Sequence, residues 1–401
     1  MRTRNFSLAL ALAAVGCGAP NEKSDSTSSS LESSTSVTSA VTSPAGAQAC
    51  QPLVTPPQLH SWAKSAKFAD LNGDGLSDLI VGNTNDNVLS VALGVAGGGF
   101  GAVQSVPFGA ADEAEEFDVA DLNGDHIPDI VVAKGYDFGS VQLLFGKGDG
   151  TFTLGAELSA HPGGFAGPNG ARIADFNGDG IKDFVTQNVN ENTLSVFIGD
   201  GKGGFGTPIL STFSHQWFGV LEAVDLNRDG VLDIVSHDGY AIGRGDGSFK
   251  AQQSWPGRLS TFGTVTTADF NGDGIIDVAG VYLSDEDPKL RSSVVVLLGK
   301  GDGTFGTAST LAHVDLMSSA QHNIAAADVD HDGRLDVTVG SGNNAHVFFG
   351  AGNGTFPRRQ DLGVGGTTIV AATSEATPRV FVLNGFASSS GGILRAVRCG
   401  S

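Results

Sequence analysis

Six segments of this 401-residue chain read Asp-x-Asn/Asp-x-Asp-x-x-x-Asp, beginning at Asp70, Asp121, Asp175, Asp225, Asp269 and Asp328. Only a fold that presents one short acidic turn six times, each in the same setting, can use such a repeat. In the first copy, Asp70 to Asp78, side-chain oxygens stand at loop positions 1, 3, 5 and 9 and a glycine stands at 6. Hard oxygen donors on a tight, adaptable loop suit Ca2+, with the carbonyl of position 7 completing the set. Mg2+ prefers a rigid octahedron and keeps its waters, and Zn2+ would take His or Cys, which the loops do not offer in a consistent place. The expected ligands are Asp70, Asn72, Asp74 and Asp78; Asp121, Asn123, Asp125 and Asp129; Asp175, Asn177, Asp179 and Asp183; Asp225, Asn227, Asp229 and Asp233; Asp269, Asn271, Asp273 and Asp277; and Asp328, Asp330, Asp332 and Asp336. That makes up to six Ca2+ sites.

An EF-hand shares positions 1, 3, 5 and 6 but needs a bidentate Glu at position 12 and a helix on either side. Position 12 here is Val81, Val132, Thr186, Ser236, Gly280 or Val339. The residues that follow the loops are β-branched runs, such as Leu79-Ile80-Val81 and Ile130-Val131-Val132, and these read as strands. A metal-free Asp/Asn turn accounts for any single copy, since both residues favour turns. Six copies with one spacing weigh against that reading for the set.

Successive loops begin 51, 54, 50, 44 and 59 residues apart, a period that signals a solenoid or propeller. Each period has an apolar strand entering the loop, a second leaving it, a third, and a glycine turn ending in Phe100, Phe152, Phe205, Phe249, Phe305 or Phe356. A more polar fourth strand leads onward. Four antiparallel strands per period make a propeller blade. After Phe356 a seventh unit repeats the first strands without an acidic loop, Ser374-Glu375-Ala376 standing in its place. Its missing fourth strand is available at the other end of the folded region, around Gln51. The expected fold is therefore all-β: a seven-bladed β-propeller with four-stranded antiparallel blades, closed by strand exchange between the N- and C-termini. Closure would hide the last sheet edges and bring Cys50 beside Cys399.

Asp-x-Asn-x-Asp-Gly-x-x-Asp combined with Gly-Asp-Gly-x-Phe resembles the FG-GAP or VCBS repeats of integrin α-subunit propellers and of many bacterial surface proteins. The resemblance spans residues 50–401. It implies calcium loops between the first two strands of each blade, on the face away from the usual ligand side. Three residues depart from the pattern: His126 replaces the loop glycine, Arg228 stands beside the fourth loop's ligands and His331 lies in the sixth. The second and fourth sites are expected to be the weakest.

The N-terminus has a basic start, Met1-Arg2-Thr3-Arg4, a short apolar run from Leu8 to Val15, and Ala14-Val15-Gly16-Cys17, which resembles a bacterial lipobox. Residues 1–16 read as a lipoprotein signal peptide and Cys17 as the lipidated residue. Residues 17–49 read as a disordered tether, because 24–43 hold 14 Ser or Thr in 20 and cannot bury a core. Residues 50–401 read as the propeller. The expected address is export and lipid anchoring to the cell envelope, an oxidising setting in which Cys50 and Cys399 are a disulfide candidate. The 43 acidic against 23 basic residues, a net charge of -20, speak against nucleic acid, and membrane contact is expected only through the lipid. The loop carboxylates account for nearly all of that excess.

The resemblance leaves the face opposite the loops for a ligand. Connections expected there carry Trp62, His215, Trp217, Trp255 and Arg258, among amides such as Asn83, Gln187 and Asn343. Aromatics among amides suit carbohydrate, and Trp with Arg also suits a protein partner. Packing between blades is the plainer role for each Trp. Arg244-Gly245-Asp246 aligns with the Lys147-Gly148-Asp149 turn of the second repeat and reads as turn chemistry. No Gly-x-Ser-x-Gly, His-Glu-x-x-His or P-loop is present, so no catalytic residue or organic cofactor is assigned. The expectation is a monomeric binding or scaffold protein with no enzymatic activity. The alternative is a calcium-dependent polysaccharide lyase or other glycan-cleaving enzyme, using for example His215 with Glu222 or Arg258.

Overall fold

Runs of Val, Ile and Leu flanked by Gly and Asp turns form strands, and the chain repeats that grammar along its length. A computed structural model describes residues 51–52 and 63–398 except 84–86, 97–98, 110–113, 115, 136–138, 165–166, 215–219, 257–261, 284–290, 316–323, 341–343, 364–367, 373–378 and 385–392. All its named elements are β-strands, and no helix among the described residues is long and apolar enough to cross a membrane.

Among the described residues, seven antiparallel sheets of three or four strands follow one another along the chain, with a two-stranded ribbon of Gly94–Val95 and Gly99–Phe100 beside the first. Sheet I holds Ala63–Ala69, Asp78–Asn83, Val88–Ala92 and Gln104–Pro107; sheet II holds Glu116–Ala120, Asp129–Ala133, Ser140–Gly146 and Phe152–Ser159. Sheet III holds Pro168–Ala174, Asp183–Asn188, Thr193–Phe197 and Ile209–Thr212. Sheet IV holds three strands, Leu221–Val224, Asp233–Ser236 and Gly239–Ala241. Sheet V holds Phe262–Ala268, Asp277–Leu283, Arg291–Leu297 and Ser309–Asp315, and sheet VI holds Ile324–Ala327, Asp336–Gly340, Ala345–Phe349 and Arg358–Asp361. Sheet VII orders Gln51–Pro52 beside Ile393–Arg398, then Arg379–Asn384 and Thr368–Ala372, with Gln51 opposite Arg398 and Pro52 opposite Val397. The first described strand of the chain thus completes the last sheet.

Sheet IV departs from the expected four strands. Its repeat is the shortest, 44 residues between loops, and a single bridge between Tyr240 and Gln253 replaces the fourth strand.

The central strands of sheets I to VI are apolar at consecutive positions because their side chains are buried on both faces. Ile130 and Val132 pack toward sheet I with Ile80, Leu89 and Phe117, whereas Val131 and Ala133 pack toward sheet III with Phe184 and Phe197. The same alternation joins III to IV through Val185 and Ile234, IV to V through Val235 and Val278, and V to VI through Ala279 and Val337. Fully burying one Val or Ile contributes about 1.5–3 kcal/mol, so these interfaces hold the sheets in sequence order.

A second, polar connection runs between the first strands. Lys67, Asp118, Arg172 and Glu222 each stand three residues before their loop, paired in register with Ile80, Val131, Val185 and Val235 of the next strand. Lys67 Nζ lies 3.1 Å from Asp118 Oδ1, and Arg172 lies 3.4 Å from Glu116 and 3.6 Å from Glu222. Ile173 N–H donates to Asp118 Oδ2 at 2.8 Å. Burial alone would raise the Asp118 carboxyl, but the Lys67 and Arg172 charges and this N–H outweigh it and hold it below the ordinary carboxylate range. An ion-pair ladder therefore crosses sheets I to IV.

Candidate metal centres

Each acidic loop connects the first two strands of a sheet, in sheets I to VI. The position 1 carboxylate organises the turn: Asp70 Oδ1 accepts from Gly73 N–H at 2.8 Å and its Oδ2 from Gly75 N–H at 2.8 Å. The same pair of bonds recurs from Asp121, Asp175, Asp225 and Asp269, and Asp328 accepts from Asp332 and Gly333. In the first five loops the position 3 Asn donates its amide to the position 5 carboxylate, at 3.0, 3.0, 2.8, 2.9 and 2.9 Å. The position 5 Oδ1 caps residue 7, as in Asp74 to Leu76 at 2.8 Å.

Position 9 is a keystone, a role the repeat spacing did not reveal. Asp78, Asp129, Asp183, Asp233, Asp277 and Asp336 are fully buried. One oxygen of each accepts the N–H of loop position 2, in Leu71, Leu122, Phe176, Leu226, Phe270 or Val329, at 2.7–3.0 Å. The other accepts the N–H of the glycine that starts the Phe turn, Gly94, Gly146, Gly199, Gly243, Gly299 or Gly350, at 2.7–2.9 Å. Burial pushes Asp129, Asp233 and Asp277 up to about 6 and Asp336 up to about 7, with the two N–H donors opposing it and neighbouring loop carboxylates adding to it. Asp78 and Asp183 are raised for the same reasons. A cation beside such a carboxylate would hold it ionised.

The donor set fits a hard divalent ion. All side-chain donors are oxygens, and in the sixth loop Asp328, Asp330 and Asp332 each offer one within 4.8 Å of the others. Asp336 stands outside that group, consistent with its keystone bonds. A carboxylate has about four acceptor sites, so two N–H bonds leave position 9 able to add a metal contact.

Phe turns tie two of the loops to the following sheet. Gly247 N–H of sheet IV donates to Phe176 O of the third loop at 3.2 Å, and Gly354 N–H of sheet VI to Phe270 O of the fifth at 3.1 Å. Both glycines have positive φ, 82° and 76°, and a side chain at Gly354 would meet Leu298 at 2.9 Å. The turn's Phe rings follow, Phe249 against Phe176 and Phe356 against Phe270. The Arg244-Gly245-Asp246 triplet is tied into one of these turns: Asp246 Oδ1 accepts from Ser248 N at 2.9 Å and Oγ at 2.7 Å, and Arg244 donates to Phe249 O.

Several expected site residues take other roles. Trp255, expected on a ligand face, is 3% exposed; it packs on Tyr240 and Phe305, and its Nε1 donates to His237 O at 3.0 Å. The ring belongs to the apolar cluster that sheets IV and V share. Arg228, expected to weaken its own loop, reaches the next one and donates to Asp273 O at 3.0 Å. Glu222, offered as a partner for a catalytic base, belongs to the ladder through Arg172. Several of the amides are engaged within the fold: Asn83 donates to Val88 O and Ser90 Oγ, Asn188 donates to the Thr193 and Ser195 hydroxyls, and Asn344 Oδ1 accepts from Ala345 and Gly363 N–H. Trp62, His215, Trp217, Arg258, Cys17, Cys50, Cys399 and the segments 1–16 and 17–49 lie outside the described residues.

The class is thus an all-β protein of repeated antiparallel sheets with an oxygen-lined loop in the first hairpin of six of them. The chain carries FG-GAP-like repeats: the model of that repeat matches residues 70–132, 127–186 and 175–236. No curated protein matches its sequence. Among solved structures it is similar to an Agrocybe aegerita lectin specific for non-reducing terminal N-acetylglucosamine, at 19% identity and a TM-score of 0.54, over 76% of this chain and 81% of that one. A Bacillus licheniformis rhamnogalacturonan lyase is 14% identical with a TM-score of 0.51, over 86% of this chain and 74% of that one. The rhamnogalacturonan lyase YesW is 16% identical with a TM-score of 0.50, over 86% and 75%. These likenesses are of fold.

Proposed function

We propose that this chain is a calcium-stabilised binding propeller of the cell envelope, which holds a carbohydrate or protein ligand on the face opposite its acidic loops. The observation that carries the calcium part is the repetition of one oxygen-lined, backbone-saturated loop in six sheets. When bound, the ion would supply positive charge to carboxylates that burial otherwise disfavours. Asp, Asn and carbonyl oxygens at positions 1, 3, 5 and 7 would hold it, with position 9 positioned behind them. Similarity to a sugar-recognising lectin favours a glycan among possible ligands.

The same reading takes the seven sheets as seven blades, closed where Gln51–Pro52 joins Ile393–Arg398. The register that sets 51 opposite 398 makes Cys50 and Cys399 the next residues in line, and a disulfide there would clasp the ring. Lipidation at Cys17 would anchor the protein.

Thermal melts with calcium and with chelator test the structural part: a lower melting temperature in chelator is expected, and an unchanged melt sinks it. A glycan array and a surface pull-down in calcium test the binding part, which fails if neither retains a ligand. The similarity to lyases favours one further assay, absorbance at 235 nm over acidic polysaccharides. An unsaturated product there would replace binding by cleavage as the function.

A further inference from the structure

We infer that the sixth loop carries resident cations, the guanidinium groups of Arg358 and Arg334, and so holds its shape with little help from a metal and fills last. The inference rests on the calcium reading of the loops. In loops one to five the position 3 Asn bridges to position 5 through its amide. The sixth loop has Asp330 there, and an ionised carboxylate cannot donate. Two arginines supply the missing donors.

Arg334 donates to Asp332 Oδ2 from Nε at 3.0 Å and from Nη2 at 2.5 Å. Arg358, from the fourth strand of sheet VI, donates to Asp330 Oδ2 at 2.5 Å. Its guanidinium is fixed from behind, 3.3 Å above the Phe349 ring. Planar guanidinium is suited to carboxylate pairing and ring stacking at once. Each of the first five loops holds three carboxylates, none of them paired with a guanidinium group among the described residues, whereas the sixth holds four, of which Asp330 and Asp332 are each paired with one.

A divalent ion entering the sixth loop therefore meets two fixed positive charges and oxygens already engaged. Asp330 Oδ1, buried and without a hydrogen-bond partner, stays available to it, so the site fills at high calcium. The backbone bonds of this loop, Val329 N–H to Asp336 and Gly333 N–H to Asp328, match those of the first five, so the difference lies in the guanidinium groups.

The test is a calcium titration of the full chain by calorimetry, with hydrogen exchange in calcium and in chelator. The expected result is five tight equivalents and one at least tenfold weaker. In chelator, the Asp332 and Gly333 amides keep their protection while Gly75 and Gly274 lose theirs. Arg358→Gln is expected to tighten the weak equivalent at least threefold, and Arg334→Gln, on an exposed side chain, gives an independent variant with the same expected direction. Six indistinguishable equivalents, equal loss of protection in the sixth loop, or weaker uptake in both variants overturns the inference alone. No uptake by any loop overturns the calcium reading and the inference with it.

Discussion

Replacing Arg172 by Leu removes the one cation that Glu116 and Glu222 share, at 3.4 and 3.6 Å. The Arg172 side chain is 12% exposed, so its carboxylate partners cannot simply turn to water. Removing one partner of a buried ion pair costs about 3–5 kcal/mol. Since Glu222 is 29% exposed, the lower end applies, about 3 kcal/mol. Urea unfolding at pH 7 in calcium reads this as a shift in midpoint at constant slope. The triple variant with Glu116→Gln and Glu222→Gln is expected to recover more than half, because neutral amides need no cation. Acid supplies a second handle on Asp118, whose folded pKa lies below its unfolded value. Its contribution is present above about pH 4 and fades as the pH falls through the lower folded value, so wild type and Asp118→Asn should converge in acid. An Arg172→Leu variant within 1 kcal/mol of wild type, or a triple variant no better than the single, would refute the view that the ladder joins the sheets.

Asp277→Asn is expected to destabilise the fold by about 1–2 kcal/mol even in chelator, because an amide must turn a donor toward Phe270 or Gly299 N–H. Asp273→Asn should show its main loss only in calcium, and paired melts in the two conditions separate them. His126 stands at φ 67°, so His126→Gly should stabilise by about 1 kcal/mol in urea unfolding. Trp255→Ala should cost about 3–5 kcal/mol as a core truncation, and ligand retention per folded molecule should be unchanged.

The acidic loops were legible because their chemistry lies in side-chain identity at fixed spacing, and the strands because both faces are covered with Val, Ile and Leu. The keystone role of position 9 was not, since both bonds go to backbone N–H groups, which every residue but proline carries alike. Gly94 and Gly350 are reached only once the third strand has folded back. The ladder left a trace that aligning the repeats on their loops exposes: three residues before the first four loops the chain reads Lys67, Asp118, Arg172, Glu222, alternating in sign. Reading the residues within one repeat conceals it, because the partners lie in different repeats. Trp255 admitted two readings, ligand contact or packing between blades, and its burial against Tyr240 and Phe305 decides for the packing that was the plainer of the two.

The loops also do more than brace their own hairpins. In the third repeat Asp183 holds Phe176 N–H, and Phe176 O receives Gly247 N–H from sheet IV; in the fifth, Asp277 holds Phe270 N–H, and Phe270 O receives Gly354 N–H from sheet VI. A peptide group that donates to a carboxylate accepts more strongly on its other side, since chains of hydrogen bonds polarise one another. Any ion that fixes the loop therefore also tightens a bond across a sheet boundary. The acidic loops and the apolar faces act on the same joints, the former at one end of the strands and the latter along their length, which leaves the other end free of acidic loops and open to variation.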